Sequence, residues 1–184
     1  FKDGQKAEAI ATLDRFMRLH PDSPAIDYAL YMKGVINFNE DLGLFSFLSR
    51  QDLSERDQKA AKQAFESFDE LVKRFPDSRY TPDARARMRY TVNALAQYEV
   101  HVARYYYQRG AYVAAINRAQ QAIADYRDAP ALEEALYILT RAYDKLGMDQ
   151  LRDDAERVLT ENYPNSVYMA RGFKGPDKPW WQLW

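Results

Sequence analysis

The chain has 184 residues, of which 47% are apolar and 14% aromatic, and this composition is sufficient to build a hydrophobic core. Its 26 basic and 27 acidic residues leave a formal net charge of −1, so no global field favours nucleic acid or a strongly acidic partner. With 0 cysteines and 2 widely separated histidines, disulfides, thiolate metal sites and a cysteine nucleophile are excluded, and no metal cluster or cofactor is predicted.

No apolar run reaches the roughly 18 residues that a membrane-spanning helix needs, so no segment is predicted to cross a membrane. The chain begins at Phe1 without a methionine or a signal segment, and we therefore expect an N-terminally truncated fragment. A targeting peptide or a lipid anchor would then lie upstream.

Four related turns divide the chain into repeated units. They are His20-Pro21-Asp22-Ser23, Phe75-Pro76-Asp77-Ser78, Tyr126-Arg127-Asp128-Ala129 and Tyr163-Pro164-Asn165-Ser166. Gly4, Gly110 and Gly147 each stand 17 residues before a turn position. Proline lacks the N–H that a helix interior needs, and Asp or Asn followed by Ser can cap the next helix. Each unit therefore predicts a helix that begins after a glycine corner and ends at the turn.

The predicted helices occupy about 5–20, 24–39, 55–75, 82–109, 112–126, 130–146 and 148–163. An inserted loop at 40–54 interrupts the period, and its apolar residues favour a loop that closes over its own repeat, with a hydrophobic docking loop as the alternative. The array is predicted to cover 1–166. Residues 167–184 are predicted to form an irregular tail that ends in Trp180, Trp181 and Trp184.

The segment 105–128 predicts two antiparallel helices that are joined at Gly110. Small residues such as Ala115, Ala119 and Ala122 would allow a neighbouring helix to approach closely. This spacing of glycine, alanine and aromatic residues resembles the tetratricopeptide repeat, a hairpin of about 34 residues. We therefore predict an all-α fold, a right-handed solenoid of tetratricopeptide (TPR) hairpins.

A more specific resemblance follows from the order of the segments 13–21, 26–34, 50–52, 98–99 and 105–106, followed by Arg109-Gly110-Ala111-Tyr112-Val113-Ala114. Together they resemble the BamD (ComL) family, the periplasmic TPR lipoproteins of the outer-membrane β-barrel assembly (BAM) machinery. The resemblance covers roughly residues 1–165 and leaves the aromatic tail outside the shared pattern.

Membership of that family would imply a non-catalytic scaffold at the periplasmic face of the outer membrane. Its partners would be the barrel-proximal POTRA domain of BamA, BamC, BamE and unfolded outer-membrane proteins. Membrane attachment would come only from an upstream lipid anchor, and no nucleic acid would be bound.

Arg118 is the main candidate for the contact with BamA. It lies just outside the apolar stripe of its helix, between Ala114 and Ala122, where a guanidinium can bind a partner carboxylate with two hydrogen bonds. The resembling family has a BamA-contacting arginine at this Asn-Arg position. The alternative is a solvated arginine, or an internal ion pair with Asp125 or with a neighbouring helix.

The helix that precedes Gly110 ends with Tyr105, Tyr106 and Tyr107, which span about 200° of its circumference and cannot all face one core. At least one ring is expected at the surface, and Tyr105 or Tyr106 and Arg109 are expected to border the surface of Arg118. The predicted partner-binding set is therefore Arg118, Tyr105, Tyr106, Arg109 and Gln121.

The three tryptophans of the tail form a possible anchor that could fill a groove of the array, bind a partner or touch the membrane interface. The adjacent acids Glu133 and Glu134 diverge by about 100° on a helix, so we interpret them as a solvated first-turn charge and not as a catalytic pair.

Two other functions remain as alternatives. One is a generic TPR adaptor that binds peptide segments, although its repeats do not obviously supply a carboxylate clamp. The weaker one is an enzyme, for which the sequence offers no phosphate loop, serine elbow or metal spacing.

Overall fold

The computed structural model describes residues 3–38 and 55–174, and these residues form helices and turns without a strand. The helices are α1 Asp3–Leu19, α2 Ile26–Phe38, α3 Glu55–Arg74, α4 Thr81–Gln108, α5 Tyr112–Asp125, α6 Leu132–Lys145, α7 Asp149–Asn162 and α8 Val167–Arg171, followed by a 3-10 turn Gly172–Lys174. The predicted all-α class with consecutive TPR-like hairpins is confirmed. Within the described part of the chain, no helix is long and apolar enough to cross a membrane.

The chain divides into two compact units, Phe1–Leu95 and Ala96–Trp184, and the boundary falls inside α4. In the first unit α2 packs against α1 and α3. The centre of its core is formed by residues from α2, α3 and the start of α4, namely Ile26, Leu30, Ala64, Phe68, Leu71 and Ala84.

A glycine is required where α2 meets α3. A Cβ atom added at Gly34 would lie 2.4 Å from Cε1 of Phe68, whose side chain is fully buried. The absence of a side chain at Gly34 is therefore what allows the Phe68 ring to pack against α2.

In the second unit α5 packs against α6, and α6 packs against α7 and α8. The α5 residues in contact with the core are Ala115, Ile116, Ala119 and Ala122, and the alanines are fully buried. These small side chains allow α6 to approach closely, as the spacing predicted. Because it is covered on several sides, α6 is buried along most of its length.

The four related turns have the same hydrogen bonding. The backbone N–H of the fourth residue donates to the carbonyl of the first at 3.1 Å from Ser23 to His20, at 3.1 Å from Ser78 to Phe75, at 3.1 Å from Ala129 to Tyr126 and at 3.0 Å from Ser166 to Tyr163. Gly110 and Gly147 form the predicted corners with φ of 77° and 68°, a left-handed conformation that glycine adopts without steric cost. Gly4 does not form a corner, because it lies within α1.

The start of the predicted tail differs from the expectation. Residues 167–171 form α8 instead of irregular chain, because the Ser166 side chain caps the helix by accepting a hydrogen bond from the Met169 N–H at 3.3 Å. The 3-10 turn that follows places the Phe173 ring against Tyr107 and Tyr137, with centroid distances of 4.9 and 5.1 Å. The first eight residues of the segment are thus part of the folded second unit.

Candidate partner-binding site

Arg118 lies on α5 with 46% of its side chain exposed, and its Nη1 donates to Oε2 of Glu99 on α4 at 3.1 Å. Only 11% of the Glu99 side chain is exposed, so the carboxylate is buried and the arginine reaches it from the surface. Of the alternatives that the sequence left open, the ion pair with a neighbouring helix is present. Among the described residues no ion pair joins Arg118 to Asp125, whose carboxylate accepts a hydrogen bond from Gln121 at 2.6 Å.

Tyr105, Tyr106 and Arg109 form one cluster at the end of α4. The Arg109 guanidinium lies 5.2 Å from the centroid of the Tyr105 ring, and the Tyr105 and Tyr106 rings meet edge to face at 5.9 Å. Tyr105 is 49% exposed, which confirms that at least one of the three tyrosines is at the surface. Tyr107 faces the other way and packs on Tyr112 and Phe173.

The members of the predicted set therefore fall into two groups. Within the described residues, no hydrogen bond or ring contact joins Arg118 to the cluster of Tyr105 and Arg109. Glu99 and Tyr106 are seven residues apart on α4 and therefore share a face, roughly 10 Å apart along the helix axis. The ion pair and the tyrosine cluster thus lie on neighbouring parts of α4, and Gln121 lies one turn after Arg118 on α5.

The interpretation of Glu134 as a solvated charge is wrong. Glu134 is 5% exposed, and its carboxylate accepts hydrogen bonds from Nε and Nη2 of Arg104 on α4 and from the Tyr168 hydroxyl of α8 at 3.0 Å. The neighbouring Glu133 accepts the Val167 N–H at 2.9 Å. The two acids therefore hold α8 and α4 against α6.

These contacts also set the protonation of the network. Burial by itself lowers the pKa of Arg104, but the hydrogen bonds and the charge of Glu134 outweigh that effect and raise the pKa. Burial, and then the charge and hydrogen bond of Glu134, raise the pKa of Tyr168 well above its ordinary value. The sequence contained one signal for this network: Glu134 stands four residues before Ile138, a fully buried residue, and so lies on the buried side of α6.

Two sequence predictions lie outside the described residues. These are the packing of the inserted loop at 40–54 and the possible anchor formed by Trp180, Trp181 and Trp184. Among the residues that the structure does describe, no group of three or more histidine, aspartate or glutamate side chains is placed to hold a metal ion.

These features define a class: a protein built of helical hairpins whose candidate binding groups lie on helix faces. The chain belongs to the YfiO family of outer membrane lipoproteins, whose model matches residues 1–159. The resemblance to the BamD family is thereby confirmed, since the curated relatives carry that name.

Three relatives illustrate the similarity, and each is named outer membrane protein assembly factor BamD. The protein of Neisseria meningitidis serogroup A is 49% identical over 184 residues, which are 100% of this chain and 69% of the relative. That of Xylella fastidiosa strain Temecula1 is 37% identical over 179 residues, 97% of this chain and 61% of the relative. That of Vibrio cholerae is 35% identical over 162 residues, 88% of this chain and 67% of the relative.

The comparisons bear on two expectations. The family model ends at residue 159, as expected for an aromatic tail outside the shared pattern, although the alignment with the Neisseria relative continues over all 184 residues. The relatives are named as assembly factors and none as an enzyme, which confirms the prediction of a non-catalytic protein.

Proposed function

We propose that the chain is a non-catalytic scaffold subunit of the outer-membrane β-barrel assembly complex, and that it acts at the periplasmic face of the outer membrane. The proposal is supported by the family, described as outer membrane lipoproteins, and by the assembly-factor name that the relatives carry. Stacked hairpins present preformed helix faces, so a partner binds without ordering the scaffold first.

The proposed partner of α4 and α5 is the barrel-proximal POTRA domain of BamA, and the observation that carries this step is the position of Arg118. About half of its side chain is exposed although one nitrogen is bound to Glu99. The remaining N–H groups of the guanidinium can donate to a carboxylate of the partner. Ala114 and Ala122, one turn to either side, are too small to shield the guanidinium.

The tyrosine cluster would extend this contact. Tyr105 combines a large exposed ring with a polar tip, and Arg109 lies against that ring. Tyrosine and arginine are the residue types that contribute most at protein interfaces. We propose that Tyr105, Tyr106 and Arg109 bind BamA together with Arg118 and Gln121. BamC, BamE and unfolded outer-membrane proteins would use other surfaces of the scaffold.

The test is binding of the BamA periplasmic domains, measured by isothermal titration calorimetry. Arg118→Gln removes the charge and shortens the side chain. It is expected to weaken binding at least tenfold, because a hydrogen bond to a charged group contributes about 1.5–3 kcal/mol and about 1.4 kcal/mol is a factor of ten. Arg89→Gln is the matched control, since Arg89 is exposed on α4 in the other compact unit. Equal affinity of the Arg118 and Arg89 variants would refute the proposed contact.

A charge reversal identifies the partner residue. Arg118→Glu should abolish binding, and a Glu→Lys or Asp→Lys change at the contacting position of BamA should restore it. Because Arg118→Glu also places two acids side by side at Glu99, its helical content and melting temperature are checked by circular dichroism before binding is measured.

A further inference from the structure

Glu99 differs from Asp83, the other acid of α4 with a described ion pair, because the Glu99 carboxylate is buried while its arginine is exposed. The side chain of Glu99 is 11% exposed and that of Arg118 is 46% exposed. Among the described residues, Arg118 is the ion-pair partner of this carboxylate, and it donates through a single nitrogen, Nη1, at 3.1 Å. Opening the pair therefore costs more free energy at the buried Glu99 carboxylate than at the exposed Arg118 guanidinium.

The surroundings of Glu99 strengthen that asymmetry. The Tyr126 ring at the end of α5 is 9% exposed and senses the Glu99 charge, since burial and then the charges of Asp125 and Glu99 raise the pKa of Tyr126 to about 12. A buried carboxylate cannot exchange a lost arginine partner for water as readily as an exposed carboxylate can. Opening the pair would thus leave an uncompensated charge in the second unit.

The consequence falls on Arg118. Its neighbours four residues away on α5 are Ala114 and Ala122, which offer the long side chain little to pack against, so an unpaired arginine at this position would sample many rotamers. The bond to Glu99 uses Nη1 of the guanidinium and leaves the N–H groups of Nη2 and Nε outside this bond. Because breaking the bond is costly, a partner acid is expected to add to the pair and not to displace Glu99 from it.

We infer that Glu99 is a positioning residue, which holds the Arg118 guanidinium in the orientation that receives a carboxylate of the partner. The role of Glu99 in partner binding rests on the proposed function. The restraint of the Arg118 side chain by Glu99 does not, because both residues lie in this chain. The opposite effect would follow if Glu99 acted as a competitor that masks Arg118: removing its charge would then tighten partner binding.

The first experiment measures the restraint without any partner. The ¹⁵N order parameter of Arg118 Nε is measured by NMR in the full chain and in Glu99→Gln, which keeps the shape of the side chain and removes its charge. Glu66→Gln is the matched control, because Glu66 is an exposed acid on α3. We expect an ordered Nε in the parent chain and in Glu66→Gln, and a fall to below about 0.6, the range of flexible groups, in Glu99→Gln. An equally ordered Nε in all three overturns the inference.

The second experiment is a double-mutant cycle on binding to the BamA periplasmic domains, with Glu99→Gln, Arg118→Gln and the double variant. Glu99→Gln is expected to weaken binding about five-fold while Arg118 is present, and to have no effect in the Arg118→Gln background. Equal weakening in both backgrounds would show a merely structural role, and tighter binding would show a competitor; either result overturns the inference.

The two failures can be told apart. If Arg118→Gln leaves BamA binding unchanged, the proposed function of Arg118 fails. The order parameters then still report whether Glu99 holds the guanidinium.

Discussion

Tyr126 is the residue that follows α5 and is 9% exposed, in the first position of the third related turn. Burial disfavours the phenolate, and the negative charges of Asp125 and Glu99 disfavour it further, so the pKa rises from the ordinary value of about 10 to about 12. The folded chain therefore holds this proton more tightly than the unfolded chain. The stability that Tyr126 contributes is complete below about pH 10 and is lost as the pH rises toward 12.

Because the pKa of Tyr126 is higher in the folded chain than in the unfolded chain, the stability of the parent chain should depend on pH more steeply than that of Tyr126→Phe. As the pH rises from 10 to 12, the free energy of unfolding of the parent should fall by about 2 kcal/mol more than that of the variant, because the variant has no proton to lose at this site. Urea unfolding followed by circular dichroism at several pH values measures the difference. Tyr28→Phe, at a tyrosine that is 47% exposed, serves as the comparison. Parallel pH profiles for the parent and Tyr126→Phe would contradict the prediction.

At the scale of helices and turns, the sequence was informative where the local chemistry decides the structure. Proline ends a helix because it lacks an N–H, and a left-handed glycine joins two helices without steric cost. The turns that begin at His20, Phe75 and Tyr163 and the corner at Gly110 were therefore predictable. The turn at Tyr126 has no proline and was predicted from its similarity to the others, and all four turns have the same backbone hydrogen bond. The seven longer helices lie within two residues of the predicted ranges.

Contacts between distant residues were not predictable in this way. Glu134 looks like an ordinary first-turn acid until α4 and α8 are placed beside α6, and only then does it meet Arg104 and Tyr168. The length of α8 also depends on that packing, since five residues with one capping serine make a marginal helix alone. For the candidate site, periodicity placed Arg118 near the edge of the apolar stripe, but it could not identify Glu99 as its partner.

The contacts of Glu134 with Arg104 and Tyr168 predict that the stability of α8 depends on this one carboxylate. Glu134→Gln should lower the free energy of unfolding by about 2–3 kcal/mol. This is less than the roughly 3–5 kcal/mol typical of breaking a fully buried ion pair, because the Arg104 side chain is 33% exposed to water. The backbone N–H groups of α8 should exchange with solvent faster than in the parent chain, since the Tyr168 anchor is weakened.

Urea unfolding and hydrogen exchange measure the two effects. The matched control is Glu161→Gln, an exposed acid 3.6 Å from Arg157, which should cost less than about 1 kcal/mol. An equal cost for the two substitutions would show that the Glu134 ion pair contributes no more than a surface pair.

At the scale of the whole molecule, the near-zero net charge limits how electrostatics can act. With a net charge of −1, the chain as a whole generates little long-range attraction for any partner. The salt dependence of binding must then come mainly from charges at the interface. Within the predicted partner-binding set these charges are Arg118 and Arg109, both in the second compact unit.

The affinity for the BamA periplasmic domains is therefore expected to fall several-fold between 0.1 and 1 M NaCl, as the screening length shortens from about 10 to about 3 Å. Arg118→Gln should lose part of this dependence, because it lacks one of the two arginine charges of the predicted set, whereas Arg89→Gln should keep all of it. Calorimetry of the parent and both variants across the same salt series measures the slopes. Salt also strengthens apolar association, but it does so alike in all three proteins, so the difference between their slopes isolates the charge at Arg118. A parent-like slope in Arg118→Gln would place the electrostatic contact elsewhere on the scaffold.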